Sequence, residues 1–267
     1  MFDPEPAGQA DSTDAYAPPA IAARVAAAGV AKAALPALPT FTLGVLAGAF
    51  IAFGAMIFTL AVTGSGLGFG PTRLLGGLAF SLGLVLVVLG GAELFTGNNL
   101  IVMAWAQKEV STRALLRNWS LVYAGNLVGS LATATMVHAS GILASGDMAA
   151  TAIAIAEAKV ALPPFEAFVR GILCNTLVCL AVWLCHGARG AGAKIAAIVF
   201  PITAFVALGF EHSIANMYLI PIGWLAGAAS VTLANFASNL IVVTLGNIVG
   251  GSVLVAFVYW IVYLRTR

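Results

Sequence analysis

The stretch that decides the fold is Gly209-Phe210-Glu211-His212-Ser213-Ile214-Ala215-Asn216, which places a glutamate beside a histidine within a long apolar segment. Residues 195–224 carry no other charge. A bilayer core is ~30 Å thick and is crossed by ~20 helical residues. The two ionisable side chains are therefore predicted at membrane depth, where such groups are costly and typically mark a pathway or a site.

The same stretch predicts a broken helix. Gly209 precedes the charged pair, and Ser213 and Asn216 follow it with side chains that can bond freed backbone groups. Non-helical backbone at membrane depth is tolerated only where protein or a water-filled cavity shields it. We therefore expect the break to be shielded in one of these two ways.

The composition is that of a polytopic membrane protein. The chain has 267 residues, of which 61% are hydrophobic and 8% are charged, whereas about 25% of the residues of a soluble domain are charged. The net charge of +2 gives no reason to expect a nucleic-acid partner. The spacing of Cys174, Cys179 and Cys185 matches no metal or redox motif. We expect neither a metal site nor a cofactor.

The first 36 residues differ from the remainder. Residues 1–19 are polar, proline-rich and acidic, lack the features of a signal peptide, and read as a disordered or loosely docked tail. Residues 20–35 predict a short amphipathic helix at the membrane interface. The prediction is thus a cytoplasmic segment, 1–36, followed by a membrane domain, 37–267.

Six apolar segments follow, at residues 40–62, 74–106, 118–142, 163–186, 195–223 and 239–263. The second and the fifth of these segments are interrupted. If all six cross the membrane, nine of the twelve lysines and arginines fall on the side that carries both ends of the chain. Because cytoplasmic loops are enriched in these residues, both termini are predicted to lie in the cytoplasm.

The two interruptions belong to an internal repeat. Gly91–Asn98 and Gly209–Asn216 share the pattern G-x-E-x-x-x-x-N, and each is followed by a Gly-Asn pair, at 125–126 and 246–247. The chain thus contains two copies of a three-span unit, residues 40–142 and 163–263. An odd number of spans inverts the second copy, and inverted repeats with interrupted helices are typical of transporters and channels.

The polar residues of the repeat are predicted to be structural. Glu93 and Glu211, with Asn98 and Asn216, are expected to support the two helix breaks, the glutamates by accepting bonds from freed backbone N–H groups. The glutamates are not expected to bind a transported anion, because a fixed negative charge in a pore would repel it. The later asparagines, at 126 and 247, predict polar contacts between helices.

Five pieces of the chain resemble the formate/nitrite transporter family: "GAELFTGN" (91–98), "NWSLVYAGNLVGS" (118–130), "CNTLVCLAVW" (174–183), "GFEHSIANMYLIP" (209–221) and "VTLGNIVGG" (243–251). The resemblance covers about residues 20–267 and is strongest to the formate-channel branch. It implies an aquaporin-like all-α fold, a homopentamer with one pore per protomer, and passage of small monovalent anions across the bacterial inner membrane.

The resemblance also implies a set of site residues. His212 matches the central pore histidine, Thr96 a threonine that faces it, Asn175 an asparagine beside the pore, and Lys159 a lysine of the outer vestibule. Five residues match pore constrictions: Phe80, Leu84, Phe95, Val178 and Phe205. The piece Gly97-Asn98 departs from the Ser-Thr of the formate branch and is nearer the nitrite branch, which bears on anion preference.

These residues lead to a hypothesis for transport. A bare anion cannot cross an apolar constriction cheaply. Lys159 would attract the anion, Thr96 and Asn175 would orient it, and His212, whose ordinary pKa is ~6.5, would protonate it. The expected partners are formate or a similar anion, protons, the lipid bilayer and further copies of the chain. Nitrite and hydrosulfide are the alternative substrates.

Other classes of membrane protein predict motifs that this sequence lacks. A neutral-solute pore of the aquaporin kind predicts Asn-Pro-Ala at the breaks, a metalloenzyme predicts H-E-x-x-H, and a nucleotide-driven pump predicts G-x-x-x-x-G-K-[ST]. We therefore do not expect an enzyme. His186, at the end of the fourth segment, is predicted to be interfacial, and Glu166 with Arg170 predicts a helix pair at a subunit interface.

Overall fold

The computed structural model describes residues 14–265, and every regular element in that range is helical. The acidic tail predicted for residues 1–19 falls mostly outside the described range. The α-helices are α1 (Pro18–Ala34), α2 (Ala37–Val62), α3 (Phe69–Gly90), α4 (Val102–Ala106), α5 (Thr112–Ala139), α6 (Met148–Val160), α7 (Pro164–Gly187), α8 (Ala191–Ala207), α9 (Ser213–Leu225), α10 (Leu233–Ile248) and α11 (Val258–Tyr263). Two 3₁₀ segments, Gly97–Ile101 and Ile142–Ala144, and a π-helical segment, Val249–Phe257, complete the set.

Five helical stretches are long and apolar enough to cross a bilayer: α2, α3, α5, α7 and the continuous stretch Leu233–Tyr263. The helices α8 and α9 are apolar but shorter, with 17 and 13 residues, and they lie on the two sides of the break at residues 208–212. The chain is therefore a multi-pass membrane protein.

Several helices begin earlier than the apolar segments predicted. The third segment was placed at residue 118, but α5 begins at Thr112 because Ser111 Oγ accepts a bond from Ala114 N at 3.2 Å. The sixth was placed at 239, but α10 begins at Leu233, after a capping box formed by Thr232 and Asn235. Caps set these boundaries, whereas hydropathy marks only the apolar part of each helix.

Both breaks use a glycine in the left-handed region. The helix α3 ends at Gly90 and is followed by Gly91 with φ 76°, and α8 is followed by Gly209 with φ 72°. A residue with a Cβ is strained at this φ, which explains why glycine opens the shared motif at both positions. Beyond the first break the chain forms only a 3₁₀ turn and the five-residue α4, whereas beyond the second it forms the 13-residue α9.

Two helices outside the predicted spans pack against the bundle. The helix α1, expected at the membrane interface, buries Ile21, Ala22 and Val25 and places Gly29 against Ala104 of α4. The helix α6 was not predicted, and it packs on α9 so closely that a Cβ on Gly223 would overlap Ala152 and Ala156. The apolar stretch of α6 is short, which is why hydropathy did not separate it from the loop.

The glycines of the repeat allow close helix crossings. Gly125 of α5 faces the backbone of Gly44 on α2, and Gly246 of α10 faces Gly171 on α7. In each case a Cβ would overlap backbone atoms of the facing helix, so larger residues would force the helices apart.

The π-helical segment lies where the chain runs from α10 into α11. It presents two consecutive glycines to α7: Gly250 lies against Ile172, and Gly251 lies against Asn175 and Cys179. Wider π turns are rare and often occur at functional positions. Beyond it, Trp260 Nε1 of α11 donates to Gln107 Oε1 at 2.8 Å, which ties the end of the chain to the residues after α4.

Candidate functional site: a buried histidine between two cavities

His212 joins the two helix breaks. Its side chain is 3% exposed, and its Nε2 atom lies 3.0 Å from Oγ1 of the fully buried Thr96. Its Nδ1 atom accepts a bond from Ala215 N at 3.0 Å and so caps the start of α9. Because Nδ1 is an acceptor, the proton of the neutral ring lies on Nε2 and points to Thr96.

An aromatic row leads to the histidine. The ring of Phe205 stacks on His212 with centroids 5.8 Å apart, and Phe80 meets Phe205 edge to face at 5.7 Å. Phe58 continues the row at 6.4 Å from Phe80. Phe80 and Phe205, both predicted at constrictions, thus form an apolar contact beside the His212–Thr96 pair, which is called the neck.

Asn175 supports the backbone at Thr96. Its Nδ2 atom lies within hydrogen-bond distance of three protein acceptors: Thr96 O at 3.2 Å, Asn99 Oδ1 at 2.9 Å and Asn247 O at 2.7 Å. From its sequence, Asn175 was expected beside the pore as an orienting group for substrate. In the structure its donors are directed to the protein, so it positions Thr96.

Each break contains a buried glutamate whose carboxylate binds side chains. Glu211 accepts from Lys159 Nζ at 2.9 and 3.1 Å and from Asn216 Nδ2 at 2.7 Å. Glu93 accepts from Lys32 Nζ at 2.5 Å and from Asn98 Nδ2 at 2.6 Å. The glutamates were expected to accept from backbone N–H groups. Lysine and amide donors replace them because a buried carboxylate needs a countercharge as well as hydrogen bonds.

The backbone groups freed at the breaks are bound by the two asparagines of the Gly-Asn pairs. Asn247 Nδ2 donates to Gly171 O at 2.8 Å and Glu211 O at 3.0 Å, and its Oδ1 accepts from Ser213 N at 2.9 Å. Asn126 makes the three corresponding bonds at the other break, with Gly44 O, Glu93 O and Phe95 N, at 2.8, 3.0 and 3.0 Å. These asparagines are polar contacts between helices, as predicted.

One cavity, of about 460 Å³, opens on one side of the neck and is called the Lys159 cavity. Lys159, Glu211 and His212 line it together with Phe80 and Phe205. Two arginines that were not among the predicted site residues also line it. Arg73 Nε donates to Ala207 O at 2.9 Å, and Arg170 Nη1 donates to Gly209 O at 3.5 Å, so both reach the break after α8. Arg170 also pairs with Glu166 at 3.4 Å.

A second cavity, of about 400 Å³, is called the Lys32 cavity and is lined by Lys32, Glu93, Arg24, His186 and Lys194 among others. His186, expected to be interfacial, thus faces a cavity. Along α3, residues 73 and 80 line the Lys159 cavity, whereas residues 84, 87 and 88 line the Lys32 cavity. The cavities therefore lie toward opposite ends of α3, with Phe80 and Leu84 between them.

The remaining predicted constriction residues lie at different places. Leu84 lines the Lys32 cavity. Val178 is buried on α7 and lines neither cavity. Phe95 also lines neither, and its ring packs edge to face on Trp119 at 5.8 Å and on Tyr123 at 5.0 Å. Its neighbour Leu94 and Val182 of α7 line the Lys32 cavity instead. Neither was predicted, and the one sequence signal for them was that Leu94 lies inside the shared motif.

The side chains within residues 14–265 do not form a metal-binding group of three or more His, Cys, Asp or Glu residues. The polar groups at the centre are instead one imidazole, one hydroxyl and hydrogen-bonded amides, with cations in both cavities. Such a centre can donate hydrogen bonds to a small anion and exchange a proton with it.

Comparison with known proteins agrees with this geometry. A family model described as "Formate/nitrite transporter" matches residues 19–261. The formate channel FocA of Escherichia coli (strain K12) is 44% identical over 92% of this chain and 94% of its own length. A probable formate transporter of Methanothermobacter thermautotrophicus is 41% identical over 88% of this chain and 92% of its own.

Solved structures show the same relationship. One titled "Pentameric formate channel with formate bound" is 41% identical, has a TM-score of 0.80, and is matched over 86% of this chain and 98% of its own. An "FNT family ion channel" is 31% identical, with a TM-score of 0.84 over 91% and 98% of the two chains. The resemblance found in the sequence is thereby confirmed, and this chain belongs to the formate/nitrite transporter family.

Proposed function

We propose that this protein conducts formate across the bacterial inner membrane and that His212 protonates the anion at the centre of the pore. The observation that carries the proposal is the His212–Thr96 pair, buried at an apolar neck between two cationic cavities. Relatives named formate channels support formate as the substrate. The pathway runs from the Lys159 cavity past Phe80 and Phe205 to Thr96, and then past Leu84 to the Lys32 cavity.

The proposed architecture has six spans in two inverted repeats, aquaporin-like, with both termini in the cytoplasm and five protomers that each contain a pore. The paired bonds of Asn126 and Asn247, and of the two Lys–Glu pairs, support the repeat. The two Lys–Glu pairs also extend the repeat to α1 and α6, because Lys32 of α1 and Lys159 of α6 bind the corresponding glutamates. The pentameric relative supports the assembly. The membrane domain comprises residues 37–267, and the Lys159 cavity faces the periplasm.

The cations of the two cavities attract the anion. Lys159 is bound to both oxygens of Glu211, so the surplus positive charge of that cavity comes from Arg73 and Arg170. In the Lys32 cavity, Arg24 and Lys194 play the corresponding part beside the Lys32–Glu93 pair. Clefts with one sign of charge and apolar walls concentrate ions of the opposite sign.

The proton transfer is constrained by the bonds of His212. The neutral ring cannot give up its Nε2 proton, because Nδ1 carries no proton and the ring would be left as an anion. Nδ1 must first take a proton from solvent and release its bond to Ala215 N. The imidazolium, stabilised by the adjacent formate, then transfers the Nε2 proton to a formate oxygen and keeps the proton on Nδ1. Nε2 afterwards takes a proton from solvent and Nδ1 returns one, which restores the bond to Ala215 N, so the net step moves one proton from solvent to formate. Neutral formic acid crosses the Phe80–Phe205 neck at a lower cost than the ion.

The departure at Gly97-Asn98 does not favour nitrite. Asn98 Nδ2 donates to Glu93 Oε2 at 2.6 Å and to Asn118 Oδ1 at 2.9 Å. The corresponding Asn216 donates to Glu211 and Asn239 in the same way. Asn98 therefore supports the break, and its amide donors are not free to select an anion.

The function is tested by anion flux into proteoliposomes that contain the purified protein. Formate, nitrite, acetate and hydrosulfide are offered separately at pH 5 and pH 7. We expect formate flux to exceed that of the other anions and to change with pH. Nitrite flux above formate flux would contradict the formate assignment. Glycerol or water flux without anion flux would contradict anion transport as a whole.

Replacing Lys159 with alanine is expected to lower formate entry from its side, and to lower it more at low salt. The reason is that charge–charge attraction is screened over ~10 Å at 0.1 M salt, and the variant also leaves Glu211 as an unpaired negative charge in the path. Initial uptake is measured in proteoliposomes at low and high salt, with Lys108→Ala as the control, since Lys108 lines neither cavity. Uptake equal to that of the unmodified protein at both salt levels would exclude Lys159 from the path.

A further inference from the structure

The Lys159 cavity is larger and more apolar than a one-carbon anion requires. Its volume is about 460 Å³. Four phenylalanines line it, together with leucine and isoleucine side chains, and these are Phe58, Phe80, Phe205, Phe210, Leu162 and Ile155. Apolar and aromatic walls with a few convergent polar groups are the usual composition of sites for organic ligands.

Besides the Lys159–Glu211 pair and His212, two guanidiniums line this cavity near the break after α8. Arg73 binds the carbonyl of Ala207 and Arg170 binds that of Gly209, so both lie at the break after α8. Arg73 forms no ion pair with a carboxylate among residues 14–265, and the partner of Arg170, Glu166, is an exposed side chain at 3.4 Å. Both guanidiniums keep N–H groups for a ligand, and arginine binds carboxylates through two parallel hydrogen bonds.

The far end of the cavity is closed to ring-sized molecules. Phe80 and Phe205 meet edge to face with their centroids 5.7 Å apart, and His212 stacks behind Phe205. A molecule that carries a ring would be stopped at this contact. The carboxylate of Glu211 is already paired with Lys159, which leaves the two guanidiniums to bind one carboxylate of the ligand.

We propose that the Lys159 cavity binds an aromatic monocarboxylate, with its carboxylate at Arg73 and Arg170 and its ring against the phenylalanines, and that this ligand blocks the pore from that side. The site is independent of His212 chemistry, and only its effect on flux rests on the proposed function. The test therefore measures binding first and flux second.

The probe is benzoate, titrated by calorimetry into the purified full-length protein in detergent. We expect saturable binding that weakens roughly tenfold or more in Arg73→Gln and in Arg170→Gln, because each variant loses a pair of charge-assisted hydrogen bonds to the carboxylate. Arg113→Gln, an exposed arginine that lines neither cavity, should bind as the unmodified protein does. Benzyl alcohol, which has the ring without the charge, should bind at least roughly tenfold more weakly than benzoate.

A second variant separates binding from distortion of the break. Ala154 lines the cavity from α6 with an exposed side chain, so Ala154→Phe fills the space without removing a hydrogen bond. It should abolish benzoate binding, whereas Ala191→Phe, at the exposed start of α8, should not. No saturable binding to the unmodified protein, or equal binding to the Ala154→Phe variant, would overturn the proposal. Either result leaves the formate flux assay unaffected, and benzoate that binds should also reduce formate uptake.

Discussion

Replacing His212 with asparagine is expected to abolish the pH dependence of formate uptake and to reduce uptake driven by a proton gradient roughly 100-fold or more, the range of a lost general acid. Asparagine is a good N-cap residue, so its Oδ1 can keep the bond from Ala215 N that starts α9. It cannot carry a proton. The substitution therefore removes the proposed proton donor while it preserves the helix start.

The measurement is formate uptake into proteoliposomes at pH 5 and pH 7, with and without a pH gradient. Ser213→Ala is the matched control, because the Ser213 hydroxyl is buried next to His212 and has no hydrogen-bond partner among residues 14–265. Its backbone N–H still bonds Asn247 after the change. If the His212→Asn protein assembled normally and kept the pH dependence of the unmodified protein, the proton would not come from this ring.

Replacing Asn247 with leucine is expected to lower the free energy of unfolding by roughly 3 kcal/mol or more. The asparagine is fully buried, and its amide binds Gly171 O, Glu211 O and Ser213 N. Leucine is similar in size but binds none of them. Each buried backbone group left unpaired costs about 1–3 kcal/mol.

Stability is measured as the temperature at which the detergent-solubilised protein loses its folded form on size-exclusion chromatography. The control is Asn235→Ala, which removes a capping amide at the start of α10 and should cost only about 1 kcal/mol. The Asn126→Leu variant should behave like Asn247→Leu, since it loses the same three bonds at the other break. Equal stability of the Asn247 and Asn235 variants would show that water or backbone movement satisfies the freed groups.

The breaks were predictable because their signals are local. A glycine followed by a glutamate and an asparagine at fixed spacing, within apolar sequence, indicated both breaks, and Gly91 and Gly209 do adopt positive φ. The later Gly-Asn pairs indicated polar contacts between helices for the same reason. In these places one short stretch contains both the conformational requirement and the side chain that satisfies it.

The cavities were less predictable because their walls come from distant parts of the chain. Arg73 and Arg170 are far apart in sequence, and nothing in either segment indicates that both reach the break after α8. Lys32 was placed in an interfacial helix, since a lysine in an amphipathic stretch has the same pattern whether it faces lipid head groups or a buried carboxylate. The correspondence between Lys32 and Lys159 is apparent only in the structure, where each lysine binds the glutamate of one break.

The π-helical segment of residues 249–257 has a consequence for comparing this chain with its relatives. A residue added to a regular α-helix turns everything beyond it by about 100°. A π turn holds about one residue more than an α turn, so it absorbs an added residue and keeps the facing of α11, including Trp260, which binds Gln107. A relative with one residue fewer in this stretch would show a single-position gap in an alignment, and a regular α-helix there would present its last helix in the same direction.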